Sequence, residues 1–240
     1  MNGKSHSNSF PASPDKRTRE HMLQIYTRLF QHFGDRKWWP AKTREEIVIG
    51  AILVQNVSWA NTVKAIDALE NHGLLSFQAI ESADLDVLES CLIPTRFYRV
   101  KAKKLKAFSK HLKSNYRFDL DRMLALPTEE LRAELLSIYG IGPETADDIV
   151  LYAAAKPTFV IDAYTRRIFH RLGMSPENPG YEVMRNWFLN HLPEDVVLFN
   201  QYHALLDALG NQLCRQTKPR CPNCPLLDSC RYGQQQVNSI

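Results

Sequence analysis

Leu135-Leu136-Ser137-Ile138-Tyr139-Gly140-Ile141-Gly142-Pro143-Glu144-Thr145-Ala146 reads as the end of one helix, a break at two glycines and the start of another. Gly140 and Gly142 permit backbone turns that other residues resist. Pro143 suits a first helical position, because the N–H it lacks would have no partner inside the helix. Outward from this point the chain keeps to helices. Upstream, Pro127-Thr128-Glu129-Glu130 opens a helix that runs to Tyr139. Downstream, the helix begun at Pro143 ends near Lys156-Pro157, and Asp162 is placed to cap a further helix that closes at Gly173. Further back, Thr43 with Glu46 makes a capping box ahead of the apolar run 47–54, read as a buried helix. No alternating apolar pattern persists, so the fold class is all-α.

The 240 residues, 44% hydrophobic and 23% charged, allow one large domain or two modest ones with a sizeable core. The apolar run 47–54 is far too short to span a bilayer. Residues 1–19 are polar and broken by Pro11 and Pro14, which predicts a disordered leader with no signal peptide or lipid anchor. A cytoplasmic, nucleoid-associated protein is expected.

Four of the five cysteines crowd into Cys214, Cys221, Cys224 and Cys230, spaced C-x6-C-x2-C-x5-C. Structural zinc usually recruits two separated C-x2-C knuckles, and only one is present. Four thiols on one short loop suit a cubane iron–sulfur cluster; zinc and two disulfides are the competing readings. Cys91, alone in an apolar stretch, reads as a buried small hydrophobe.

The net charge of +4 hides an uneven distribution. Between residues 95 and 118 lie nine lysines and arginines and no acidic residue, leaving −5 for the rest of the chain. Lys103, Lys106, Lys110 and Lys113 follow helical spacing and predict one basic stripe, a phosphate-binding face. Arg215 and Lys218, interleaved with the cysteines, predict a second phosphate contact. At the hairpin, Gly140, Ile141 and Gly142 let backbone approach a phosphate, with N–H donors from Gly142, Glu144 and Thr145. Such a grip does not read base sequence. A plain helix–helix turn would look similar, and Asp162 taken alone is an N-cap.

Hairpin, aspartate opening the next long helix and C-x6-C-x2-C-x5-C together resemble the endonuclease III superfamily of helix-hairpin-helix DNA glycosylases. The resemblance runs from about Trp38 to Tyr232. It implies two domains: a six-helix barrel with the hairpin over 36–156, and a domain of 20–35 with 157–232 carrying a [4Fe-4S] cluster on the four cysteines, followed by a tail, 233–240. It implies a monomer binding double-stranded DNA, with the damaged nucleotide flipped out. Asp162 matches the family's catalytic aspartate. Gln55, with Asn56 beside it, matches the residue that fills the gap left by the flipped base.

Departures from the family pattern narrow the chemistry. Bifunctional members carry a Schiff-base lysine two residues after the second hairpin glycine, where this chain has Glu144. A carboxylate cannot form a Schiff base, so a monofunctional glycosylase is expected. The adenine-excising branch carries a glutamate four residues before the glutamine, where this chain has Ala51. Trp38-Trp39-Pro40, followed by Gly50-Ala51-Ile52-Leu53-Val54-Gln55-Asn56, looks like the 3-methyladenine glycosylase branch, whose aromatic residues sandwich the base. Trp38, Trp39 and Trp59 are then pocket candidates, because an indole face attracts a cationic alkylated purine. Structural packing is the competing reading of these tryptophans. The alternative functions are a glycosylase for oxidised pyrimidines or mismatched thymine or uracil, and a non-catalytic damage-binding protein.

Overall fold

The computed structural model describes residues 15–238, and the expected leader lies outside them except for its last five residues. In chain order the helices are α1 (Lys16–Phe33), α2 (Arg44–Leu53), α3 (Trp59–Asn71), α4 (Phe77–Ser82), α5 (Leu85–Leu92), α6 (Tyr98–Tyr116), α7 (Leu120–Leu124) and α8 (Thr128–Ser137). They continue with α9 (Pro143–Asp148), α10 (Ala163–Leu172), α11 (Tyr181–His191), α12 (Val196–Gln212) and α13 (Arg231–Asn238). The described residues contain no strand, as an all-α class requires. The chain divides into two compact units, Trp39–Pro157 and the pair Met1–Trp38 with Thr158–Ile240.

In the unit Trp39–Pro157, α2 is the central helix. Seven of its ten residues are buried, which explains why its apolar run shows no polar face. The capping box is modified: Thr43 Oγ1 accepts from the Glu46 N–H at 3.1 Å, but the Glu46 carboxylate reaches back to the N–H of Lys42 at 2.8 Å. The core that holds α2 also takes in Ala65 and Leu69 of α3, Phe77 of α4, Leu88 of α5 and Leu105 and Phe108 of α6. Cys91 of α5 is buried in the same core. The hairpin lies between α8 and α9. Across it Arg132 of α8 holds the buried carboxylate of Asp147 with two bonds, at 2.9 and 3.1 Å, which fixes the angle at which the chain re-enters a helix. Beyond α9 the helix widens into a π turn, Ile149–Ala153, where the Ala154 N–H reaches the Ile149 carbonyl at 3.0 Å.

The second unit is built on aromatic rings. Phe159 stacks on Phe188 of α11 at 3.9 Å between centroids, and Phe169 of α10 and Tyr202 of α12 meet this pair edge-on. The Tyr202 hydroxyl donates to the Met22 carbonyl of α1 at 2.8 Å. The leader expected over 1–19 is corrected at its end. Asp15 accepts from the Thr18 N–H at 2.8 Å and starts α1 at Lys16, because Met22, Ile25 and Leu29 form a buried stripe that the helix must present.

Candidate nucleic-acid interface and catalytic site

Gly140 takes φ +86, a conformation in which a side chain is strained. A Cβ there would also stand 2.3 Å from Cγ of Lys104, whose stem lies directly on the glycine. Ile141 is buried and anchors the hairpin from below, while Gly142, Pro143 and Glu144 are exposed at its tip. Thr145, one residue further, is buried and turned toward Gln55.

Gln55 comes just after Val54, the C-cap of α2, with Asn56 exposed beside it in a left-handed conformation, φ 55. Its Nε2 donates to Thr145 Oγ1 at 2.8 Å and toward the Gly140 carbonyl at 3.3 Å. Its Oε1 accepts from the Lys104 ammonium. The two segments singled out separately in the sequence, residues 55–56 and the hairpin, are therefore joined by side-chain hydrogen bonds.

The basic segment is less uniform than its spacing predicts. Lys103 and Lys110 are exposed on α6. Lys106 is half-buried, and its ammonium donates to the carbonyls of Glu81 and Ala83, at 2.9 and 2.7 Å, at the end of α4. Lys113 reaches Glu81 at 3.4 Å. The one-stripe reading is thus corrected: α4 supplies carbonyls and a carboxylate that claim two of its four lysines. Lys101 is buried, with its ammonium between the carbonyls of Leu53 and Thr95, at 2.8 and 2.7 Å, and burial lowers its pKa to about 8. It ties the segment before Gln55 to the turn before Phe97. That turn carries Arg96 and Phe97 at φ 53 and 36, and it leaves Phe97 70% exposed. Sequence reasoning missed Phe97; the signal was an aromatic residue amid a basic run, the composition used for stacking on bases.

Trp39 and Trp59 meet edge to face at 5.2 Å, and Tyr152 of the π turn lies 5.3 Å from Trp39. The Trp39 indole rests on Gly50, where a Cβ would fall 3.2 Å from Nε1. All three rings border the core of their unit. Trp38, the residue before Trp39, falls at the end of a segment of the other unit.

Asp162 is the N-cap of α10, and its Oδ1 accepts from the Thr165 N–H at 2.6 Å. The second carboxylate oxygen faces Nε2 of His203 at 3.9 Å. His203 and Asp207 lie one turn apart on α12. Burial lowers the pKa of His203. Burial, reinforced by the charge of Asp162 and partly offset by Arg36, raises Asp207 to about 6. Tyr164 packs on Gly210, one more turn along, where a Cβ would meet the ring at 2.5 Å.

The four loop cysteines border one small space together with Leu213, Leu227 and Gly233. A Cβ on Gly233 would stand 3.1 Å from Leu227 and 3.5 Å from Sγ of Cys230. Arg171 donates to Cys214 Sγ at 3.3 Å and to the Arg215 and Gln216 carbonyls at 2.7 and 3.1 Å. The Gly233 N–H points at Cys230 Sγ at 3.3 Å. Among the described residues no three cysteine, histidine or acidic side chains close on a point as ligands of a single ion would. N–H donors directed at sulfur suit thiolates that bear charge, as the ligands of a cluster would. Burial pushes Cys224 up to about 11, with the neighbouring thiolates adding to it. Arg215 and Lys218 are exposed on this loop.

Two helices around a glycine hairpin, with an aspartate opening the next long helix, define a helix-hairpin-helix protein. A family model for the HhH-GPD superfamily of base excision DNA repair proteins matches residues 49–194. The chain belongs to that superfamily and is a DNA glycosylase of base excision repair. It is 42% identical over 218 residues to a Methanocaldococcus jannaschii protein named as a DNA repair glycosylase, covering 88% of this chain and 96% of that one. Endonuclease III of Sulfolobus acidocaldarius is 28% identical over 186 residues, covering 77% of this chain and 80% of its own. Among solved structures, a non-covalent endonuclease III–DNA complex superposes with a TM-score of 0.80 at 21% identity, covering 92% of this chain and 98% of that one. No helix among the described residues is long and apolar enough to cross a membrane.

Proposed function

We propose that the enzyme is monofunctional: it hydrolyses the glycosidic bond of a flipped base and leaves the abasic strand intact. The observation that carries this reading is Glu144, exposed at the hairpin tip where a Schiff-base chemistry would need an amine. Asp162 is the catalytic residue. With one oxygen held by the Thr165 N–H, its other oxygen is available to stabilise the oxocarbenium-like sugar or to orient water. The hairpin residues 140–142, with Glu144 and Thr145, hold DNA backbone together with Lys103, Lys110, Arg215 and Lys218, and Gln55 fills the gap left by the base. Cys214, Cys221, Cys224 and Cys230 would hold a [4Fe-4S] cluster, which shapes the basic loop when bound.

The substrate read from the residues is an alkylated purine such as 3-methyladenine. Its positive charge favours electron-rich rings like those of Trp39, Trp59 and Tyr152, and its glycosidic bond needs little acid assistance. The edge-to-face meeting of Trp39 and Trp59 supports a second reading, since a base sandwich needs parallel faces. On that reading the base is uncharged, an oxidised pyrimidine or a mismatched thymine or uracil.

Base release from duplexes carrying each lesion, with and without alkali, tests both points. Strand breaks should need alkali, and Glu144→Lys should gain a borohydride-trappable adduct. Trapping by the parent enzyme would refute the monofunctional reading, and release of uracil or an oxidised pyrimidine without 3-methyladenine would overturn the alkylpurine reading. Anaerobically purified protein should show broad visible absorption and about four irons per chain, and colourless active protein would refute the cluster.

A further inference from the structure

Gln55 makes an unusual set of contacts for a side chain expected to enter DNA. Its two amide hydrogens have acceptors in Thr145 Oγ1 and the Gly140 carbonyl, and its oxygen accepts from an ammonium. The donor, Lys104, lies in the basic segment but does not behave as a free phosphate contact. It is half-buried, burial lowers its pKa, and its stem covers Gly140 so closely that a Cβ would stand 2.3, 2.7 and 2.9 Å from its Cγ, Cδ and Cε. Gly140 is thus required twice, by its left-handed backbone and by the lysine laid across it. A loose glutamine would lose rotamer freedom on entering the base stack; one already ordered loses less.

We propose that Lys104 is a positioning residue for Gln55, pinning its carboxamide to the hairpin so that the gap-filling group and the phosphate grip approach DNA as one piece. This rests on the reading of Gln55 as the gap filler, and it gives the hairpin a second task beside binding backbone. Lys104 touches neither sugar nor base in this role; it acts through Gln55. The hydrogen bonds also orient the amide, with oxygen toward the lysine and nitrogen toward the hairpin.

Two measurements on the full-length protein test it. In the DNA-free protein, the Gln55 side-chain amide pair, assigned by its loss in Gln55→Ala, should show slowed hydrogen exchange. In Lys104→Met, which keeps the stem on Gly140 but lacks the ammonium, the pair should shift toward the position of a free glutamine. Thr145→Val, a near-isosteric change that removes the nitrogen's acceptor, should do the same. An unchanged Gln55 signal in Lys104→Met would overturn the proposal, whatever Thr145→Val does.

The second measurement uses a duplex with a tetrahydrofuran abasic analogue beside 2-aminopurine, whose fluorescence reports insertion at the gap. Lys104→Met should reduce the response about fivefold with Gln55 present and leave it unaltered in the Gln55→Ala background. Equal reductions in both backgrounds would overturn positioning and make Lys104 a phosphate contact. If Gln55→Ala alone leaves the fluorescence response intact, the gap-filling reading fails, and the amide signal still decides whether Lys104 pins Gln55.

Discussion

Asp162 has two tasks, capping α10 and carrying the proposed chemistry, and a pair of substitutions separates them. In Asp162→Asn the amide oxygen can take the place of Oδ1 and accept from the Thr165 N–H, 2.6 Å away in the parent. Asparagine and aspartate are near-equal N-caps, so the cap itself survives. What is lost is the negative charge at the helix N-terminus, about 0.3–1 kcal/mol. Relief of the repulsion that raises Asp207 offsets part of this loss. Asp162→Asn should therefore stay within about 1 kcal/mol of the parent. Asp162→Ala loses the cap as well, about 1 kcal/mol more, or roughly 2–4 °C in Tm for a chain of this size. In activity the two should be alike: each removes the carboxylate that stabilises positive charge on the sugar, and base release should fall by at least about 100-fold. Thermal unfolding and single-turnover base release on a cleaved lesion duplex measure both effects. Base release by Asp162→Asn within twofold of the parent would refute the catalytic role, and equal melting of the two variants would refute the cap.

Gly210→Ala sets two magnitudes against each other. Alanine in a helix is worth about 1 kcal/mol over glycine, but a Cβ 2.5 Å from the Tyr164 ring overpacks the α10–α12 contact by about 1–3 kcal/mol. A net loss near 1 kcal/mol in urea unfolding is expected, and a gain would show that the close approach is absent. Asp207 titrates at about 6 in the fold against an ordinary value of 3.8, so its ionisation opposes folding. Its contribution is full below about 4 and is lost as pH rises through 6. Asp207→Asn should raise Tm above pH 6 and change it little below pH 4; a pH-independent effect would contradict the assignment. Lys106→Met should cost stability, about 1.5 kcal/mol for two charge-assisted bonds to the end of α4, without altering the salt dependence of DNA binding. Lys103→Met should do the reverse, lowering the slope of log K against log salt by about 0.9. Identical behaviour of the two variants would restore the single phosphate stripe.

Helices α2, α8, α9 and α10, the caps at Thr43 and Asp162, the stop at Gly173 and the glycine hairpin were legible in the chain because each depends on residues within one or two turns of each other. Asp15 shows the limit of that reading: its cap was hidden by the polar, proline-broken run before it, and only the buried stripe at Met22, Ile25 and Leu29 called for a helix there. The basic segment shows the limit more plainly. Spacing placed its lysines on helical faces, but their tasks depend on carbonyls at Leu53, Thr95, Glu81 and Ala83 and on the amide of Gln55, up to 49 residues away in sequence. Trp39 likewise found Trp59 and Tyr152 only through folding. Sequence alone settled what each residue can do chemically and where the backbone must turn. Tertiary structure decided which partner each side chain meets, because hydrogen bonds and ring contacts act over a few ångströms and the chain must fold before distant residues come that close.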